Sequence, residues 1–324
     1  MLRWGMIGCG RICHRIMNGF HNSDCNVVSA VYGRTRSKVE AFAYQYHISN
    51  VYSDFDKFLH SGTFDIAYVA VPHTEHESYV VRALNAGIPV ICEKPMAPNA
   101  AGARRMVEAA IKNNTFLMEG MWTRMFPTTQ KVLEWLPQIG RIVAVQASFG
   151  FQAGPATLSD RLFNPDQAGG ALLDIGIYPL SYMSMLLREQ PSRIATIAKI
   201  GTTGCDETSS FIFEYPNGTQ ASIMISFCTE MKDVLTIYGS KGYIIVHPDF
   251  WRPKKATLSL SNYVEEYVDN EFLGEGFQFE IEHVRQCLQD GLTQSPLISL
   301  NESIQILETA DKIRSIWNMY YPFE

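Results

Sequence analysis

Several things are scarce in this sequence. The longest apolar runs, 66–72 and 87–92, are strand-length and fall short of the roughly 20 residues a membrane helix needs, so no membrane partner is expected. There is no surplus of positive charge: Lys+Arg total 27 against 33 Asp+Glu, a formal net charge of −6. No basic field is therefore available to attract nucleic acid or anionic lipid. The first residues, Met1-Leu2-Arg3-Trp4-Gly5, reach glycine before an export-signal core of about 7–15 apolar residues can form, which leads us to expect a cytoplasmic protein. Seven cysteines, an odd number scattered from Cys9 to Cys287, lack the dense spacing of a disulfide scaffold and read as reduced thiols. Cys9, Cys13 and His14 lack the second half of any zinc pattern, so no metal is expected. Repeats, low-complexity tracts and a Gly/Ser linker are absent as well.

What is present is ordinary globular composition, 46% apolar and 19% charged over 324 residues, which excludes disorder as the main state. That length exceeds one compact core and implies two domains. Up to about residue 120, short β-branched or apolar runs (2–7, 27–32, 66–71, 89–92, 116–118) alternate with amphipathic stretches (11–20, 38–46, 76–86, 100–112), the signature of βα units on a parallel sheet. Asn99 is a plausible N-cap and Gly87 a plausible helix stop. Beyond Pro127 the runs lengthen and hairpin signals appear: 207–215 and 219–227 around Pro216-Asn217-Gly218, then 233–238 and 243–246 around Gly239-Ser240-Lys241-Gly242. Helices are expected at 172–187, 277–288 and 303–319. The fold class is an α/β Rossmann domain, 1–122, followed by an α+β domain, 123–324, with an open-faced, mostly antiparallel sheet; the C-terminal helix is allowed to pack back on the first domain.

Gly8-Cys9-Gly10-Arg11-Ile12-Cys13 directly follows the first strand and opens a helix, the context that gives a glycine-rich turn its meaning. Gly8 permits the tight turn, Gly10 lets a pyrophosphate approach the backbone, and amides from Arg11 and Ile12 onward offer the positive end of the helix dipole. Cys13 stands where a third glycine is usual. An NAD-type site places Asp or Glu at the end of the second strand; here Gly33, Arg34, Thr35, Arg36 and Lys38 stand there instead. Arg34, with Thr35 and Arg36 or Lys38, can hold a 2′-phosphate. NADP is therefore the expected cofactor, with NAD possible.

The fourth strand ends in Glu93-Lys94-Pro95, and Pro95 keeps Lys94 extended or in a turn. These residues, together with Gly8–Gly10, Met118-Glu119-Gly120-Met121-Trp122-Thr123-Arg124 and the run Gly169-Gly170 to Tyr178, resemble the glucose–fructose oxidoreductase/inositol dehydrogenase family end to end. The resemblance implies hydride transfer at a hydroxyl or carbonyl carbon of a cyclic diol, sugar or dicarbonyl, and a homodimer through the C-terminal sheet. Lys94 would be the family's EKP lysine. Asp174 and Tyr178 fall on its Asp-x-Gly-x-His pattern with tyrosine in place of histidine, a departure from typical sugar dehydrogenases. His76 matches a histidine near the nicotinamide. Val71, Pro72, His73, Glu93, Trp122 and Arg124 complete the expected cofactor contacts, while Trp122, Phe149 and Trp251 resemble substrate-pocket aromatics.

The chemistry is coherent on these residues, because oxidising an alcohol needs a base for its hydroxyl proton and reducing a ketone needs the same group as an acid. A phenol, ordinarily titrating near pH 10, can do this beside an ammonium that stabilises the phenolate. Asp174, four residues before Tyr178, is expected one helical turn away on the same face, and His76 is the reserve base. The alternatives are a sugar or inositol-type dehydrogenase, an NAD-dependent glycosidase, and a non-catalytic NADP sensor.

Overall fold

The computed structural model describes residues 1–261 and 265–324. Two compact units are present: Met1–Trp122 with Phe272–Ile304, and Thr123–Glu271 with Gln305–Glu324. The contiguous halves 1–122 and 123–324 therefore need correction, since 272–304 clusters with the first unit. Gly19 shows why: a side chain there would come within 2.7 Å of Phe277 Cβ and 2.9 Å of Ile281 Cδ1, so a glycine lets two helices meet closely.

The first unit runs β1 (Leu2–Ile7), α1 (Arg11–His21), β2 (Asn26–Tyr32), α2 (Arg36–Tyr46), β3 (Asn50–Tyr52), α3 (Phe55–Leu59), β4 (Ile66–Val69), α4 (His76–Asn85), β5 (Val90–Glu93), α5 (Ala100–Asn113) and β6 (Leu117–Gly120). Its sheet has the order β3-β2-β1-β4-β5-β6, and its pairs are parallel. β4 and β5 are buried at every position, as strands of a covered parallel sheet should be. The order reverses between β1 and β4, and a ligand crevice lies beyond the carboxyl ends of strands at such a reversal. Asn99 does cap α5, accepting from the Gly102 amide at 2.9 Å. The short β3 and α3 were not expected.

The second unit contains α6 (Pro127–Trp135), β7 (Ile142–Gly150), a π-helical turn Leu172–Gly176 leading into α7 (Ile177–Leu187), β8 (Arg193–Ile200), β9 (Asp206–Glu214), β10 (Gln220–Ser226), β11 (Leu235–Gly239), β12 (Gly242–Val246), β13 (Lys255–Leu260) and β14 (Glu265–Asp269). Helix α8 (Phe277–Gln289) lies in the first unit, and α9 (Leu300–Ile316) starts there and continues into the second. The second sheet has the order β14-β13-β12-β11-β7-β10-β9-β8. It is antiparallel except for the β7–β10 pair. Phe211, Phe213, Ile223 and Ile225 point to its buried face, while Ile197, Ile212 and Met224 are 73%, 57% and 44% exposed on the other. The stretch Pro165–Leu187 is long and apolar enough to cross a membrane by composition, but 83% of its apolar 18-residue window is buried inside the fold. That is the character of a core helix.

Candidate active site

The turn after β1 is shaped for a phosphate. Gly8 has φ +117°, and a Cβ there would lie 2.5 Å from the Ala70 carbonyl oxygen, whereas nothing lies within 4 Å of a Cβ built on Gly10. The first glycine is thus required by the backbone, and the second leaves an open approach to the start of α1, whose first turn carries no acidic side chain. Cys13, in the third-glycine position, is wholly buried. Its thiol, pushed up to about 12 mainly by burial, is 3.8 Å from the Ala70 oxygen. A cleft of about 190 Å³ opens here, lined by Gly8, Cys9, Gly10, Gly33, Arg34, Thr35, Lys38, Val71 and Pro72. These residues fit a dinucleotide, with Arg34, Thr35 and Lys38 exposed at one end. Arg11 and Ile12 sit in the first turn of α1 instead of on the cleft wall.

Tyr32 and Tyr79 also line the cleft and were not anticipated. Their hydroxyls are 3.5 Å apart, and burial first, then the neighbouring phenol, raises the Tyr79 ionisation well above the ordinary tyrosine range. Glu75 was missed too. Its carboxylate holds the Arg34 guanidinium at 2.9 Å, while Arg36 pairs with Glu40 on α2 at 2.8 Å.

The segment carrying Lys94 is fixed at three backbone positions. The Lys94 amide donates to Glu93 Oε2 at 3.2 Å, and the Met96 amide to Glu119 Oε1 at 2.9 Å. The third tie is His76, whose Nδ1 is 3.0 Å from the Pro95 carbonyl and whose Nε2 is 2.9 Å from the Val71 carbonyl. The Lys94–Pro95 peptide is cis. His76 is fully buried, and both of its ring nitrogens face backbone carbonyls. In this place the imidazole ties two βα junctions together, a structural part that its spacing in the sequence did not suggest. His73, 7% exposed, lies with its ring 5.6 Å from that of His76. Trp122 closes this unit by stacking on Phe277 at 4.1 Å and 12°, with the Arg15 guanidinium 6.0 Å away.

In the second unit three expected residues meet. Phe149 and Trp251 stack at 5.5 Å and 5°, and Tyr178 stands 5.9 Å from the first and 6.0 Å from the second. β7 supplies Phe149 and α7 supplies Tyr178. Asp174 lies in the π turn, not in a regular α turn, so the simple i,i+4 relation to Tyr178 does not apply. It accepts from Arg161 at 3.0 Å, a partner the sequence did not suggest. Gly170 and Gly176 make this turn possible. At Gly170, φ +120°, a Cβ would fall 2.2 Å from Asp206 Oδ1, and at Gly176 it would fall 2.8 Å from Ile225 Cδ1. Asp206 Oδ2 accepts from the Leu172 amide at 2.8 Å, fastening the start of the turn. Arg124, expected to touch cofactor, binds into α7, its Nε on Ser181 Oγ and its Nη2 on the Ser181 carbonyl, both at 2.9 Å; at 2% exposure it is a buried brace for the helix of Tyr178.

Comparison with known proteins agrees with this geometry. The model of the oxidoreductase family with an NAD-binding Rossmann fold matches residues 2–121, and that of the GFO/IDH/MocA C-terminal domain matches 137–245. The trans-1,2-dihydrobenzene-1,2-diol dehydrogenase of Mus musculus is 32% identical, covering 99% of this chain and 98% of its own. Among solved structures, a 3-ketoreductase from Actinomadura kijaniata, in complex with NADP and TDP-benzene, superposes with a TM-score of 0.84 at 21% identity over 97% of both chains. A levoglucosan dehydrogenase in complex with NADH and levoglucosan gives 0.87 at 18% identity over 99% of both. With a glycine-lined phosphate turn, both family models in order and a relative matched along its length, the chain belongs to the GFO/IDH/MocA family and is an NAD(P)-dependent oxidoreductase acting on hydroxyl groups.

Proposed function

We propose that this protein is an NADP-dependent oxidoreductase of cyclic diols and their carbonyl counterparts, with Tyr178 as the proton-transfer residue and Lys94 as the cation that steadies the reacting oxygen. The observation that carries the reading is the grouping of Tyr178 with the parallel rings of Phe149 and Trp251. An apolar wall beside a phenol suits a flat, ring-bearing substrate with one hydroxyl presented for oxidation. The dihydrodiol dehydrogenase name of the Mus musculus relative supports the same substrate class. Bound nicotinamide supplies the hydride acceptor or donor. On the protein's side, Tyr178 Oη takes the hydroxyl proton in oxidation and returns it in reduction, and the Lys94 ammonium balances the developing oxyanion. Phe149 and Trp251 keep water from that oxygen, while Asp174, held by Arg161, serves a second substrate hydroxyl. NADP is favoured by Arg34, Thr35 and Lys38 at the exposed end of the glycine-lined cleft, with Glu75 as a resident competitor for Arg34.

The test is kinetic. Tyr178→Phe and Lys94→Met should each lower kcat for trans-dihydrodiol oxidation by roughly 10²–10⁴, with the double variant losing little more, because a proton-transfer unit behaves non-additively. Cofactor affinity should change much less. Near-unaltered turnover in Tyr178→Phe would overturn the assignment, and additive losses would separate the two residues' roles.

A further inference from the structure

Beneath Lys94 lies a chain of buried groups that the reaction as described does not use. Tyr68 on β4, Glu93 at the end of β5 and Glu280 on α8 belong to the same unit. Their exposures are 0%, 8% and 0%. Tyr68 Oη lies 2.6 Å from Glu93 Oε1 and 3.2 Å from Glu280 Oε1. A phenol has one proton and donates once. If both carboxyls were ionised, one of these two contacts would set bare oxygens against each other, and two negative charges would share a site without water. One additional proton removes both difficulties.

Its position follows from the surroundings. Burial raises the Glu93 carboxyl, but against it stand the shorter bond to the phenol, the Lys94 amide on its other oxygen and the positive charges of Lys94 and Arg15, all of which favour its anion. Glu280 has only Tyr68, and its second oxygen, Oε2, has no hydrogen-bond partner among the described residues. We infer that Glu280 is a neutral carboxylic acid that donates to Tyr68, so that Tyr68 donates to Glu93 and a single anion is held against the Lys94 segment. Glu280 and Tyr68 are then positioning residues for Lys94. Burial, and after it the charge of Glu93, pushes the Glu280 carboxyl upward, in keeping with this order. The other titratable groups facing the cluster are Cys13 on α1 and Cys92 on β5, both raised chiefly by burial, and Glu119 on β6, which is tied to Met96 and Ser303.

The inference rests on a functional Lys94, and two readouts separate its failure from the failure of that reading. The first needs no activity: infrared difference spectra in deuterated buffer at mildly alkaline pH. The intact protein should show the carbonyl stretch of a water-excluded carboxylic acid, lost in Glu280→Gln and retained in Glu93→Gln. No such band, or a band that disappears with Glu93 instead, overturns the inference. The second is the pH profile of kcat/KM. Glu280→Gln, whose amide can still donate to Tyr68, should stay within about threefold of the parent with an unmoved profile. Glu93→Gln should fall by roughly tenfold or more, as expected for loss of a charged hydrogen-bond partner. Its alkaline limb, where the Lys94 ammonium is lost, should move to lower pH, because the anion that favoured the ammonium is gone. Equal losses in the two variants, or an unmoved limb in Glu93→Gln, would show that the chain does not act through Lys94.

Discussion

The proposed NADP preference rests chiefly on Arg34, and the setting of that side chain limits how large such a preference can be. The side chain is 67% exposed and paired with Glu75, so the 2′-phosphate must displace a resident carboxylate in a well-solvated place. Arg34→Ala should weaken NADP(H) by about tenfold, the lower end for a charge-assisted contact, and NAD(H) much less. Glu75→Gln should tighten NADP(H) by releasing the guanidinium. Fluorescence titration of both reduced cofactors would decide it, and equal loss for both would remove Arg34 from phosphate reading. The glycine turn and the cations after β2 were legible because backbone geometry and phosphate chemistry restrict which residues can stand there. Glu75, Tyr79 and Arg161 were not, since each acquires its meaning from a partner distant in sequence or across a loop. The partners of His76 and Arg124 were illegible for the same reason: a buried imidazole and a buried guanidinium meet backbone carbonyls and a serine here, and spacing alone does not reveal whom a side chain will meet.

At the scale of elements, the helix bearing Tyr178 depends on an acid at its entrance. Asp206 is fully buried, and burial, ahead of the relief from the Leu172 amide, lifts its carboxyl from an ordinary 3.8 to about 7. A raised acid binds more protons folded than unfolded. Its stabilising contribution is therefore complete below the ordinary value and is lost as pH climbs toward about 7. Asp206→Asn keeps an acceptor for the Leu172 amide without the charge. Thermal midpoints taken across pH 4 to 7 should fall more steeply in the parent than in this variant. Asp233, Glu93 and Glu280, raised in the same direction, cancel in the comparison, and parallel curves would contradict the assignment. Among the elements themselves, the βα alternation and the β9–β10 hairpin were readable from periodicity and turn residues. The three-residue β3, the five-residue α3 and the acidic β14 have too little pattern of their own and exist because a neighbouring strand or helix accepts them. The π turn has no period to read; Gly170 and Gly176 in hindsight mark it.

For the whole molecule, the open face of the second sheet is the feature that asks for a partner. Cross-strand register places Met224 opposite Ser210 and Ser210 opposite Ile197, with Ser222, Ile212 and Ala195 in the next row, so aliphatic side chains form one surface among small polar ones. Covering such a surface with its own copy is the economical solution, and we expect twice the monomer mass in sedimentation at micromolar concentration. Ile212→Arg, 57% exposed at the centre of these rows, should shift the equilibrium toward monomer without loss of secondary structure, and an unchanged mass would place the interface elsewhere. The rims of the same sheet differ from its face. One outer strand, β14, reads Glu-Glu-Tyr-Val-Asp, and the other, β8, carries Arg193 and Lys199. Charged rims discourage a foreign strand from adding itself to the sheet. Association is thereby steered into closed pairs that consume the surface driving them, and away from ribbons that renew their own growing ends, so crowding should yield a finite complex in preference to a fibre.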